Sequence, residues 1–327
     1  MIERKENCPS GAMSPAAHVP VMPDEVLHFL RPEPGQTVVD ATVGSGGHAL
    51  KLYETMGAEG ALVALDRDPE MIEVAKRRFD EKGIPERSVR WVVGSYGDLA
   101  EHLAGLGIRT CDRILFDLGL NSEQLADPTR GFSFNAEGPL DARFSREESI
   151  PTLAERLARI RVEELERVLR EGGDERWARR IARAIIRRRD RGPIETTVEL
   201  AAVIRSAVPP VKGWRRIDAA TRSFQALRIM VNAEMEHLAR GLEQAIAGLA
   251  PNGRIVIISF HSGEDRLAKE AFRRYDMRRA GQREDGGWAG QPVLEVLTRK
   301  PVRPTESECE SNPRSRSARL RAAIRMK

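Results

Sequence analysis

The first 120 residues alternate short apolar runs with segments of helical spacing, and this alternation restricts the fold more than any other feature. The runs are "QTVVDA", "GALVALD", "SVRWVVG" and "CDRILFD". They are continuous rather than alternating in hydropathy, as strands covered on both faces are. Between them lie "HALKLYETMG", "DPEMIEVAKRRFDEKG" and "GDLAEHLAGLG"; in the second, Met71, Val74, Ala75 and Phe79 keep helical spacing. Strand–helix repeats of this length give an α/β fold with a parallel sheet. Three of the four runs end in aspartate: Asp40, Asp66 and Asp117.

From about 118 to 220 no run reads as a buried strand. A loop-like stretch leads into helical segments near 151–170, 174–190 and 196–207, the pattern of a helical insertion. One long helix follows, "TRSFQALRIMVNAEMEHLARGLEQAIAGL", with Phe224, Leu227, Val231, Met235 and Leu238 as its apolar stripe and "PNG" as its stop. "RIVIISF", "PVLEVLTRKP" and "SARLRAAIRM" supply three further strands. In the last, Leu320, Ala322 and Ile324 alternate with arginines, which predicts a basic outer face. The organisation expected is a flexible leader over 1–17, a sheet domain over 18–120 and 221–327, and an inserted helical substrate-recognition domain over 121–220.

At 31% charged and 41% hydrophobic, the 327 residues suit a soluble globular protein. No apolar run is long enough for a membrane span, and the N-terminus lacks the apolar core of a signal peptide. Cys8, Cys111 and Cys309 are far apart, which argues against a disulfide framework or a zinc site and fits the cytoplasm. The histidines form no ligand cluster, so no metal is expected. The net charge is only +4, yet arginine is concentrated locally, which permits a polyanionic partner. In "ERWARRIARAIIRRRDR", Trp177, Ile181 and Ile185 share a face that Arg179, Arg180, Arg183 and Arg187 largely avoid.

The loop "DATVGSGGHAL" sits between a strand and a helix, where parallel sheets bind ligands. It lacks the Lys-Ser/Thr of a phosphate-binding Walker loop and the third spaced glycine of a dinucleotide fingerprint. Asp40 before it would repel phosphate and attract an ammonium. Asp66 lies 22 residues beyond Gly44, where a carboxylate can accept both hydroxyls of a ribose. An ammonium and a free ribose beside a backbone cradle describe S-adenosylmethionine.

Eight blocks occur in order: "HVPVMPDEVL", "DATVGSGGH", "LDRDP", "FDLGLNSEQL", "RGFSFNAEGPLDAR", "ATRSFQALRIMVN", "GRIVIISFHSGEDR" and "NPRSRSARLR". Together they resemble the bacterial 16S ribosomal RNA cytosine-N4 methyltransferase family, known as RsmH or MraW, over roughly residues 18 to 325. The resemblance implies a class I, Rossmann-like S-adenosylmethionine-dependent methyltransferase sheet with an inserted helical domain. It also implies methyl transfer to N4 of a decoding-region cytidine in the small ribosomal subunit. Matched by motif, the cofactor residues are Gly46, Gly47, His48, Asp66, Tyr96, Asp117 and Gln124; Gly44 is added from loop geometry alone. Where the family commonly has GVSSPQ, HSLEDR and DGPLDMR, this chain has "GLNSEQ", "HSGEDR" and "EGPLDAR".

Transfer to an exocyclic amine needs nitrogen, methyl and sulfur in line, and an acceptor for an N4–H. The acceptor candidates are Asp117, Asn121, Ser122 and His261. The target base must be unpaired or flipped. Phe132 and Phe134 with Arg130 and Arg143 suit base stacking and phosphate contact. Gln225, Arg228 and Asn232 share a face of the long helix with Thr221; they, neighbouring Arg222, and Arg314 and Arg316 of the acid-free C-terminal stretch complete the RNA-facing set. The partner expected is 16S rRNA within the small subunit, with homodimer formation left open. Three alternatives remain: a methyltransferase paralogue acting on another RNA position, a non-catalytic RNA-binding assembly protein, and a Rossmann oxidoreductase. The oxidoreductase requires a diphosphate site that the loop does not supply.

Overall fold

The computed structural model describes residues 19–209, 218–279 and 293–326; the leader assigned to 1–17 lies outside the described residues. Seven strands form one sheet: β1 (Thr37–Asp40), β2 (Ala61–Asp66), β3 (Val89–Val93), β4 (Cys111–Asp117), β5 (Leu249–Ser259), β6 (Leu294–Val296) and β7 (Arg319–Arg325). Their order is β3-β2-β1-β4-β5-β7-β6. The first five run parallel, and β7 lies antiparallel to both β5 and β6. The chain winds outward from β1 to β3, then returns to place β4 on the other side of β1. This reversal opens a crevice at the carboxyl ends of β1 and β4, the position where open parallel sheets bind ligands. Asp40, Asp66 and Asp117 are the last residues of β1, β2 and β4.

The apolar strands are explained by two cores. One face of the sheet buries Leu62, Ala64, Leu115, Val256 and Ile258 against Leu52, Ile72, Ala75 and Phe79. The other buries Val39, Val63, Leu65, Ile114, Phe116, Ile255 and Ile257 against Leu99, Leu103, Leu242 and Ala268. A third core joins the helices Leu153–Arg159, Val162–Gly173, Ala178–Arg189 and Thr197–Ala207 through residues such as Leu157, Leu165, Leu169, Ile181, Ile185, Leu200 and Ile204.

The single long helix expected after residue 220 is two helices, Thr221–Asn232 and Glu234–Gly248, broken at Ala233 in left-handed conformation (φ 49°). The break divides the apolar stripe between cores. Phe224, Leu227 and Val231 enter the helical core, whereas Leu238 joins the sheet core. The basic outer face expected of β7 is also absent. Arg321 is buried and meets Asp265 at 2.7 Å; Arg319 reaches the same carboxylate, and Arg325 donates to the carbonyls of Ala247 and Leu249. These arginines are held by the helix Ser262–Tyr275 and by backbone carbonyls.

Arg130, expected to face RNA, is instead sealed inside the protein at 2% exposure. Its guanidinium donates to Asp68 at 2.7 Å, to Glu70 at 3.0 Å and to the carbonyl of Phe144 at 2.6 Å. Asp68 also caps the helix Pro69–Glu81 by accepting from the Glu70 amide, and it accepts from Gln124 at 2.8 Å. Removing one member of a buried ion pair strands the other charge, at a cost of about 3–5 kcal/mol. Arg130→Ala should therefore lower the unfolding free energy by that amount, read as a fall in the urea midpoint at unchanged slope. The double variant Arg130→Met/Asp68→Asn should lose less than the sum of the two single losses.

Candidate active site

A cleft of about 830 Å³ opens at the carboxyl ends of the strands. Its sheet-side wall is the loop after β1. Gly44 has φ 51°, and a side chain there would meet Asn121 Nδ2 at 2.9 Å, so the Asn121 side chain from the segment after β4 packs directly on the loop backbone. Gly44, Gly47 and His48 line the cleft, with Pro20 packed over Gly47. Gly46 does not line it: at φ 83° it turns the chain into the helix Gly47–Met56 and faces Ala75.

The carboxylates at the strand ends are short of partners. Asp66 accepts the Gly44 amide on Oδ2 at 2.8 Å and the Asp68 amide on Oδ1 at 2.9 Å. Burial outweighs these bonds and pushes its pKa up to about 6. Asp40 is buried and does not itself line the cleft; it accepts the Thr42 amide with Oδ1. Burial pushes its pKa up to about 7 against the opposing effect of His48. His48 Nε2 is 3.5 Å from Asp117 Oδ2. Among the described residues, Asp40 Oδ2, His48 Nε2 and Asp117 Oδ1 are buried without a hydrogen bond. Buried polar atoms are normally paired, so this set is suited to a ligand that brings cationic and hydrogen-donating groups.

Asn121 caps the helix Ser122–Ala126, and Gln124 closes the reciprocal capping bond with Oε1 on the Asn121 amide. The Asn121 side chain accepts from Glu123, which commits its oxygen locally. Ser122 accepts a hydrogen bond from Arg314, whose other terminal nitrogen donates to the Leu120 carbonyl. Arg314 thus lines the cleft while tying the C-terminal segment to the loop after β4. His261 caps the helix Ser262–Tyr275, with Nε2 3.0 Å from Glu264. Burial acts to raise the Glu264 pKa, but the bond and charge of His261, the Phe260 amide and Arg228 together hold it below the usual carboxylate range.

The helical unit forms the far wall. Phe132, Phe134, Phe144, Phe224, Thr221, Gln225 and Arg228 all line the cleft. Phe134 packs on Phe224 with ring centroids 4.8 Å apart, and Phe132 on Phe144 at 5.7 Å. Arg228 forms a two-bond pair with Glu234, 2.8 Å each. Asn232 is fully buried, donating to the Ala142 carbonyl and accepting from the Phe144 amide, so it fixes the aromatic loop and cannot meet RNA. Arg143 is held by Asp141 at 2.7 and 3.0 Å. Arg222 is exposed beside Asp174, and Arg316 is exposed; neither lines the cleft. Tyr96 lines the cleft edge-on to Phe116, and burial, with Glu234 and Glu264 nearby, raises its pKa.

Sequence reasoning passed over Arg67, Ser95, Glu234, His237 and Glu264, all of which line the cleft. Glu264 stands three residues after His261, the spacing of a capping box. Ser95 stands two residues beyond the end of β3, near the strand edge that Asp66 marks on β2. Glu234 and His237 carried no such signal, because the turn at Ala233 that aims them is invisible in a helix-forming sequence.

A model of the MraW methylase family matches residues 15–326. The chain is 46% identical to Ribosomal RNA small subunit methyltransferase H of Pelobacter propionicus, covering 94% of this chain and 98% of that one. It is 45% identical to the protein of the same name from Geobacter sulfurreducens, covering 95% and 99%. Among solved structures it is similar to an rRNA methylase from Streptococcus thermophilus, with a TM-score of 0.41 at 10% identity, covering 93% of this chain and 94% of that one. With the family matched along nearly its whole length, the chain belongs to the MraW methylase family and is a methyltransferase whose methyl donor is S-adenosylmethionine.

Proposed function

We propose that the protein methylates N4 of a cytidine in the decoding region of 16S rRNA within the small ribosomal subunit. The names of its relatives support a small-subunit rRNA substrate. The observation that carries the chemistry is Asp117, whose Oδ1 is buried and unpartnered at the end of β4 in the cleft wall.

The cofactor residues fit their ligand. Asp66 accepts the ribose hydroxyls, Gly44 and Gly47 allow backbone approach, and the buried negative charge of Asp40 and Asp117 favours the cationic methionine portion. Tyr96 offers a ring face to the adenine, and Gln124, held by Asp68, keeps the loop after β4 in place. Gly46 shapes the turn. Bound there, S-adenosylmethionine supplies an electrophilic methyl group.

The cytosine amine is a poor nucleophile because its lone pair is shared with the ring. Asp117 accepts one N4–H, which localises the lone pair, and takes the proton as the nitrogen–methyl bond forms. His48, 3.5 Å away, orients the carboxylate. Asn121, Ser122 and His261 shape this end of the cleft. The four phenylalanines of the far wall stack an extruded base, with Gln225 and Arg228 at its edge. The helices over 121–220, with Thr221–Asn232 packed among them, act as the substrate-recognition unit.

The helix Ala178–Arg189 provides the outer contact with RNA. Arg180, Arg183 and Arg187 are exposed and follow one another along a single face, with exposed Arg176 in the turn just before the helix. Arg176 and Arg180 stack on Trp177 at 5.3 and 5.7 Å. Like charges at this spacing destabilise a helix, and neutralising phosphate offsets that cost.

Small subunits from a strain lacking the gene should gain N4-methylcytidine on incubation with enzyme and cofactor, read by nucleoside mass spectrometry. Asp117→Asn should lower kcat by about 10²–10⁴-fold; a product methylated on another atom would refute the target. Replacing Arg180, Arg183 and Arg187 with Gln should reduce the salt dependence of subunit binding by about two to three counterions, leaving cofactor affinity unchanged.

A further inference from the structure

At the β3 side of the cleft the ring of His237 lines the wall beside Ser95 and Tyr96. Its Nδ1 is engaged from two directions. Ser95 Oγ lies 2.7 Å away, and that hydroxyl oxygen already accepts the Gly97 amide at 3.0 Å. Arg240 Nη2, which also pairs with Asp98, approaches the same ring nitrogen at 3.3 Å. A guanidinium can only donate. Nδ1 is therefore an acceptor from both neighbours, and a neutral ring must carry its proton on Nε2. Burial, with Arg67 and Arg240 nearby, lowers the pKa of the ring and keeps it neutral near pH 7.

The ring is also fixed in place. A side chain at Gly97 would come within 2.6 Å of Nδ1 and 3.2 Å of the His237 Cα, so the turn after β3 is pressed flat against it. Gln244, one helical step beyond Arg240, ties the same turn from both sides, donating to the Gly97 carbonyl and accepting the Ala100 amide. Nε2 has no hydrogen-bond partner among the described residues. Such a histidine presents one directed donor of fixed tautomer.

We propose that His237 reads the adenine of the cofactor, its Nε2–H donating to a ring nitrogen of the base. The inference rests on the assignment of the cofactor to the ends of β1, β2 and β3. Asp66 fixes the ribose at β2, and the base then extends over the end of β3, where Tyr96 offers a ring face and His237 an edge donor. Adenine ring nitrogens only accept, so the donor selects a purine with a free acceptor at that place. The backbone and Asp66 select the sugar.

The test is calorimetric binding of S-adenosylhomocysteine and its 1-deaza, 3-deaza and 7-deaza analogues. His237→Asn keeps a polar atom near Ser95 but removes the atom at Nε2; His237→Gln restores a donor close to it. Loss of one neutral hydrogen bond should raise Kd for S-adenosylhomocysteine about tenfold in the Asn variant. The Gln variant should stay within about threefold of the parent. One of the three analogues should bind the parent about tenfold more weakly, yet bind His237→Asn no more weakly than S-adenosylhomocysteine does. If the Asn variant matches the parent for every ligand, or all three analogues lose equally in both proteins, the proposal is wrong. If the parent itself fails to bind S-adenosylhomocysteine, the cofactor assignment fails instead.

Discussion

One carboxylate joins the parts of this cleft. Asp68 caps a helix of the sheet domain, accepts Gln124 from the loop after β4, and accepts Arg130 from the loop that carries Phe132. Its own amide donates to Asp66. Arg130 then reaches the Phe144 carbonyl, beside the amide held by Asn232. A buried pair of this kind is weak evidence of stability gained, because desolvation offsets much of the attraction. Its value is positional: the sheet-side wall and the aromatic wall share one hydrogen-bonded hub, so neither can shift without leaving a charge unpaired.

Around that hub the cleft has two electrostatic characters. The sheet side is acidic and under-partnered, with Asp40, Asp66 and Asp117 converging from three strand ends. The far side is aromatic, and its Arg228–Glu234 pair is already satisfied. A cationic cofactor suits the first wall and a flat neutral base the second. The arginine stripe of Ala178–Arg189 belongs to neither wall; it is an exposed basic surface, which the proposed function gives to phosphate.

Much of this was legible in the chain. Continuous apolar runs identified the parallel strands, because burial on both faces removes polar alternation. Aspartates at run ends marked the crevice, because the loop positions beyond a parallel strand carry function. What stayed hidden depended on long-range packing. Arg130 and Asn232 look like surface groups in sequence, since nothing local shows that Asp68 and the 142–144 backbone enclose them. Ala233 reads as a helix former, yet the chain turns there because the residues on either side belong to different cores. The arginines of β7 alternate as an exposed face would, but Asp265 on the neighbouring helix takes Arg319 and Arg321, and backbone carbonyls take Arg325. The His237 tautomer follows only from the two donors that meet Nδ1.

The central claim is that buried carboxylates lacking counter-charge await the cofactor. In the free protein Asp40 and Asp66 hold protons up to about pH 7 and pH 6. A ligand bearing an ammonium and a ribose diol favours their ionised forms, so binding lowers both pKa values and expels protons. Affinity should then rise with pH through 6 to 7, below the range in which the ligand's own amine loses its proton. The direct measurement is titration calorimetry with S-adenosylhomocysteine at pH 6.5 in two buffers of different ionisation enthalpy. The account predicts release of a substantial fraction of a proton per site at that pH. Proton uptake at pH 6.5, or no proton exchange there with affinity flat between pH 5.5 and 7, would contradict it.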